Sequence, residues 1–192
     1  RISSTRDTVG PMVSSVEDCQ LLDEILSGEK NNYQEMTLKG LRIGVPREYF
    51  YENLEPLIAE KTEHLLKQIK QAGAELVFEN LNNVGEMSGD VGFPIVIYET
   101  NELLTSYLES NVTSETLRTL IEKISDSSVK EIMEMVLNKT ISKELYKYVI
   151  DTHRPNLQQL YRSYFSQHSI DAIIFPTTPL TARPIEGSEV NV

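Results

Sequence analysis

The 192 residues are 40% hydrophobic, enough for a domain with a buried core, and carry 18 basic against 29 acidic side chains for a net charge of −11. Such a charge repels phosphate backbones and anionic lipid, which argues against nucleic acid and membrane surfaces as partners. The single Cys19 leaves no internal disulfide and no apolar run approaches the ~20 residues that span a bilayer, so a soluble, cytoplasmic chain is expected.

The first residues, Ile2 to Thr5, run into Arg6-Asp7-Thr8-Val9-Gly10-Pro11, a turn sequence that connects to something earlier; the chain is therefore expected to be a piece of a longer protein. Ser14 and Glu17 have capping-box spacing, and Cys19, Leu22, Ile25 and Leu26 follow at helical intervals up to Gly28, which predicts a first helix. A polar loop is expected from Glu29 to Thr37. Leu41, Ile43 and Val45 then alternate with Arg42 and Gly44 until Pro46, the pattern of a strand. From Pro56 to Ala72 the residues Leu57, Ile58, Leu65, Leu66 and Ile69 share a helical face, Gly73 stops the helix, and a second strand follows at Leu76–Glu79. Strand, helix and strand over 41–81 form a βαβ unit, so the two strands should be parallel.

Residues 84–168 read as almost wholly helical. One helix is expected over Pro94–Leu108, with Ile97, Asn101, Leu104 and Leu108 on a stripe, and others over Ser114–Ile124, Val129–Leu137 and Lys143–Val149. Pro155 suits the first turn of a further helix whose face includes Leu157, Leu160, Tyr161 and Tyr164. A last strand is expected at Ala172–Phe175, cut off by Pro176 and followed by a Pro- and Thr-rich loop, the two together filling 170–185.

Chemistry is sparse along this chain. His64, His153 and His168 have no neighbouring His or Cys at ligand spacing, and Glu60 with His64 on one helix face reads as solvated surface. Pro46-Arg47-Glu48 offers no glycine-rich cradle for a pyrophosphate. Ser163, His168 and Asp171 lie within one short segment, whereas relay triads are assembled from distant segments, so they read as a surface cluster. The tyrosines Tyr98, Tyr107, Tyr146, Tyr148 and Tyr161 would serve either as an aromatic substrate wall or, more simply, as half-buried core residues. Two glycosylation sequons, at Asn111 and Asn138, read as coincidental.

Three stretches carry a resemblance. "ISSTRDTVGPMVSSVEDCQLLDEIL" resembles the close of the amidase signature, in which an Asp-Thr-x-Gly-Pro turn precedes a helix of the form Ser-Val-x-Asp-x-x-x-Leu; "LKGLRIGVPREYF" resembles the family's next strand; and "IDAIIFPTTPLTARPI" resembles its later strand with a Pro-Thr-x-Pro loop. The wording Ser-Thr-Arg-Asp-Thr is closest to amidases of arylacetamides such as mandelamide and indoleacetamide. The resemblance implies a fragment of a three-layer α/β/α sandwich with a small, mostly parallel sheet, residues 1–28 closing the signature segment and forming the first helix. It also implies hydrolysis of an amide to acid and ammonia with no metal or organic cofactor, through a serine, a second serine and a lysine. No Gly-Gly-Ser-Ser-Gly run occurs in the sequence, so the resemblance assigns no catalytic residue here and predicts a chain inert on its own. It implies supporting roles for Asp7, Thr8, Gly10 and Pro11, in a turn behind the catalytic serines, and a place at the pocket mouth for Thr177 and Thr178. Sheet edges and an apolar face left uncovered would make the fragment self-associate. A stand-alone α/β binding or regulatory module built on an amidase scaffold is the alternative.

Overall fold

A computed structural model describes residues 2–30, 37–111 and 114–182. Most of the expected loop after Glu29, the end of the Asn111 sequon and residues 183–185 of the Pro-Thr segment lie outside them. The chain falls into two compact units, one made of residues 1–36 and 94–143, the other of 37–93 and 144–192.

In the second unit lies a three-stranded sheet of order β2-β1-β3, built from β1 (Arg42–Gly44), β2 (Glu75–Val77) and β3 (Ala172–Ile173). Both pairings are parallel, with Ile43 opposite Leu76 on one side and Ala172 on the other. Hydrogen bonds from Glu75 N–H to the Leu41 carbonyl and from Ile174 N–H to the Gly44 carbonyl extend the ladder past the strand ends. Helix α2 (Pro56–Gln71) connects β1 to β2, completing the expected βαβ unit; Gly73, at φ +99°, reverses the chain into β2 where a Cβ would meet the Lys39 backbone at 3.2 Å.

Arg42 pins the start of this sheet. Its guanidinium pairs with Glu75 on β2 and donates to the carbonyls of His168 and Ser169, while its backbone N–H donates to the Asp171 carboxylate at 2.7 Å. A cation on the last carbonyls of a helix is favourably placed against the helix dipole. That helix is α7 (Arg154–His168), which lays Leu157, Leu160, Tyr161 and Tyr164 into a core with Leu81, Val84 and Ile170, as the periodicity predicts. Helix α6 (Lys143–Tyr148) does not stop before α7. A π-helical turn, Val149–His153, joins the two, with Arg154 N–H reaching back to the Val149 carbonyl; Pro155, which has no N–H to donate to the preceding turn, directly follows this widened turn at the start of α7.

Helix α3 (Val84–Asn111) is ten residues longer at its start than expected, so Pro94 lies inside it and not at its first turn. Gly85, Gly89 and Gly92 are weak helix formers, and burial of Val84, Val91 and Ile95 outweighs that preference. From Pro94 onward α3 belongs to the first unit, whose core comprises Ile97 and Leu108 from α3, Leu117 and Ile121 from α4 (Leu117–Glu122), and Val136 from α5 (Ser127–Leu137). Thr116 and Thr119 form a reciprocal capping box on α4, and Asp126 caps α5 through Val129 N–H.

Helix α1 (Val16–Ser27) ends at Gly28 as expected, but its cap is Ser15, whose hydroxyl accepts from Asp18 N–H, and not Ser14. The spacing of Ser14 and Glu17 is one residue out of phase with the bond the backbone makes. None of the helix is buried: Leu22 is half-covered, Cys19 is exposed, and Val16, Leu21, Ile25 and Leu26 are 56–71% exposed.

Candidate functional site

The turn that opens the chain is folded around a carboxylate. Asp7 N–H donates to the Ser3 carbonyl at 3.0 Å, and the Asp7 carboxylate accepts from Ile2 N–H at 2.7 Å, closing residues 2–7 into a loop. Glu99 of α3, 4% exposed, reaches this loop from the same unit. One of its oxygens accepts from the Ser3 hydroxyl at 2.5 Å and from Thr5 N–H at 3.1 Å; the other accepts from the Thr5 hydroxyl at 2.8 Å. Beside it, the Thr100 hydroxyl donates to the Ile2 carbonyl at 3.3 Å. Ser3 is fully buried, so its hydroxyl and the Glu99 carboxylate satisfy one another away from water.

The expected support residues continue from this loop. Asp7, Thr8, Gly10 and Pro11 are all exposed; the Thr8 hydroxyl makes a long contact to the Val9 carbonyl, and a Cβ on Gly10 would meet nothing within 4 Å among the described residues.

The Pro-Thr loop belongs to the second unit. It leaves β3 and is tethered to the start of α2: Glu55 N–H donates to the Pro179 carbonyl at 2.9 Å, and the Glu55 carboxylate accepts from both the N–H and the hydroxyl of Thr181. Tyr51 holds the strand end, its hydroxyl donating to the Ile174 carbonyl at 2.7 Å, and burial pushes that phenol up to about 12. Thr177 and Thr178 are exposed at the tip, where the Thr178 hydroxyl bonds Leu180 and shapes a local turn. At the carboxyl end of β1, Arg47 pairs with Glu63, lies over the Tyr51 and Phe78 rings, and holds the Glu63 carboxyl below its usual range. Arg47 and Glu48 N–H both donate to the Asn80 side chain, so this turn is occupied by protein groups.

The segment carrying Ser163, His168 and Asp171 is likewise taken up structurally. The Ser163 hydroxyl accepts from Gln159, the His168 ring packs on Tyr164, and the Asp171 carboxylate accepts from Arg42 N–H. Among the described residues no cluster of three His, Cys, Asp or Glu could hold a metal. Tyr98, Tyr146 and Tyr161 are half-buried, whereas Tyr107 and Tyr148 are exposed. Tyr98 lines a cavity of about 230 Å³ in the first unit together with Ile97, Asn101, Lys139, Ile141 and Lys143.

The family model described as Amidase matches residues 1–190. The chain belongs to the amidase family. This amidase chain is 37% identical over 185 residues to an indoleacetamide hydrolase of Allorhizobium ampelinum, a match that covers 96% of the chain and 40% of the relative. It is 32% identical to a mandelamide hydrolase of Pseudomonas putida, covering 93% of the chain and 37% of that protein. The chain thus spans about two-fifths of the length of these relatives, both of the kind the Ser-Thr-Arg-Asp-Thr wording indicates. In three dimensions it is similar to a crystal structure of an amidase with a TM-score of 0.74 at 23% identity, covering 97% of the chain and 38% of that structure, and to an amidase family protein from Bacillus anthracis at 0.68 and 22%. These likenesses establish the fold, an α/β piece of the amidase architecture with a small parallel sheet.

Against that family the most informative residue of the amidase chain is Glu99, which sequence reading passed over. A signal existed: Glu99 stands between Ile97 and Asn101 on a helix whose neighbours Ile95, Ile97 and Thr100 are buried, and a carboxylate on such a face needs donors from another segment. Which segment supplies them is a long-range fact, 94 to 96 residues away, that local periodicity does not carry.

Proposed function

We propose that this chain is part of a hydrolase that cleaves a carboxylic amide of the arylacetamide type to acid and ammonia, and that the nucleophilic serine, relay serine and lysine lie in sequence outside these 192 residues. The supporting observation is the match to an indoleacetamide hydrolase along 96% of the chain that accounts for only 40% of the relative, in a sequence without a Gly-Gly-Ser-Ser-Gly run. In the reaction so inferred, a serine attacks the amide carbonyl while a lysine, kept neutral by desolvation, takes up the proton through the second serine, and backbone amides hold the oxyanion. No cofactor takes part.

In this reading residues 1–192 form part of one amidase domain in the cytoplasm. Asp7, Thr8, Gly10 and Pro11 shape the turn behind the catalytic serines, and Thr177 and Thr178 lie at the mouth of the substrate pocket, just beyond the carboxyl end of a parallel strand. The purified 192-residue chain should release no ammonia from indoleacetamide, mandelamide or an aliphatic amide, and the longer polypeptide that contains it should release ammonia from at least one. Turnover by the 192-residue chain that disappears when one of its own serines is replaced would overturn the reading.

The same reading implies self-association of the chain on its own. Strands β2 and β3 are sheet edges, and α1 exposes Val16, Leu21, Ile25 and Leu26. Light scattering at micromolar concentration should register a dimer or larger species, and a monomer throughout that range counts against it.

A further inference from the structure

Glu99 couples the helical region to the signature segment, and the geometry points to a role beyond local stability. We propose that Glu99 is a positioning residue of the hydrolase, fixing through Ser3 and Thr5 the chain that leads to the catalytic serines; this rests on the amide-hydrolase reading above.

Three features converge. The carboxylate is buried and accepts hydrogen bonds from the Ser3 hydroxyl, the Thr5 N–H and the Thr5 hydroxyl, so both its oxygens are engaged by one three-residue stretch. Charge-assisted bonds of this kind are roughly twice as strong as neutral ones and, away from water, tolerate little displacement. The stretch they hold is closed on itself by the Asp7 bonds to Ile2 and Ser3, so gripping Ser3 and Thr5 fixes the whole loop. Finally, this loop precedes the Asp7-Thr8-Val9-Gly10-Pro11 turn within the part of the chain that resembles the close of the amidase signature. On the other side, Glu99 is anchored in α3 between Ile97 and Asn101, both buried, with the Asn101 side chain donating to the Val136 carbonyl at 2.8 Å. The carboxylate therefore stands on a rigid support. A nucleophile held by a segment so gripped keeps its attack geometry, and a shift of about 1 Å in such a segment costs on the order of 10²-fold in rate.

The experiment uses the longer hydrolase that contains this sequence, with indoleacetamide as substrate, and compares wild type, Glu99→Gln, Ser3→Ala and the double variant. Glu99→Gln keeps the shape and one acceptor while removing the charge. It should lower kcat by roughly 10- to 100-fold with KM changed less than about threefold. The Ser3 and Glu99 losses should be non-additive in kcat, because the two groups act through one bond. In the 192-residue chain the Thr5 amide should exchange faster with solvent deuterium in Glu99→Gln than in wild type. A Glu99→Gln enzyme with wild-type kcat, or one whose loss appears only in thermal stability, overturns the positioning role while the hydrolase reading stands. A wild-type polypeptide that releases no ammonia overturns that reading and this role with it, even if Thr5 exchange responds.

Discussion

Gly44 is the last residue of the sheet's central strand, and the Tyr164 side chain fills the space beside it. A Cβ built there would stand 2.7 Å from the Tyr164 hydroxyl and 3.0 Å from a ring carbon of the same side chain. Tyr164 is 4% exposed, and its hydroxyl donates to the Glu79 carbonyl at 2.9 Å, so the ring cannot swing aside without losing that bond. In Gly44→Ala the overpacking should cost about 1–3 kcal/mol and the displaced hydrogen bond about 1 kcal/mol. Against this, the stiffer unfolded chain returns about 0.4–1 kcal/mol. The net expectation is a loss of about 1–3 kcal/mol, a fall in Tm of roughly 3–10 °C for a chain of this size. Urea unfolding of four proteins isolates the cause: wild type, Gly44→Ala, Tyr164→Phe and the pair. Tyr164→Phe removes the nearest atom at the price of an unpartnered Glu79 carbonyl, so the pair should be more stable than the sum of the singles by at least ~0.5 kcal/mol. Strict additivity, or a Gly44→Ala protein with the wild-type midpoint, would refute the steric reasoning.

Three further outcomes follow from the geometry. Asn101→Ala should destabilise by about 1–3 kcal/mol in chemical denaturation, because it removes a buried hydrogen bond to the Val136 carbonyl and opens space beside the first unit's core. Glu63→Gln should cost less than ~1 kcal/mol near neutral pH, since the pair with Arg47 is half-exposed. The Glu63 carboxyl is held below its usual 4.5, so its contribution is present above that pH and fades as pH falls through the folded value; stability curves of mutant and wild type should converge in acid. Tyr51 moves the opposite way. Its phenol is raised from 10 to about 12, so its contribution is complete below pH 10 and drains away as pH rises towards 12, and Tyr51→Phe should flatten the alkaline limb of the stability profile.

The parts of the fold that local rules govern were legible. The βαβ unit, Gly28 and Gly73 as helix ends, and the apolar faces of α3 and α7 all rest on periodicity and on residues whose backbone preferences are strong. Legibility failed where burial opposed propensity. The glycines of α3 disguised its first ten residues, and Pro94 looked like a start because Pro is commonest there, although a helix buried along Val91 and Ile95 can absorb one missing N–H. Strand lengths were overestimated for a related reason: Leu41, Val45 and Phe175 belong to the right stretches, but the regular ladder is shorter than the apolar pattern around it. Of the candidate site, the motif text was readable and the group that holds it was not, since Glu99 and Ser3 are adjacent only in the folded chain.

Helix α1 separates two things that periodicity merges. Its spacing correctly marks a helix with an apolar face, yet Val16, Leu21, Ile25 and Leu26 remain exposed, because a pattern specifies which side of a helix avoids water and says nothing of what covers it. The same distinction applies to Gly10. No neighbour among the described residues forbids a Cβ there, so their packing does not demand a glycine. Under the proposed function both facts have one origin: residues chosen for contacts with the remainder of a hydrolase carry their sequence signal into a chain where those contacts are not made. Glu99 is the counterexample, since its partners Ser3 and Thr5 lie within the chain and every oxygen of its carboxylate is engaged. The signature segment is therefore held from within on its Glu99 side, while the apolar face of α1 that follows it stays uncovered by the described residues.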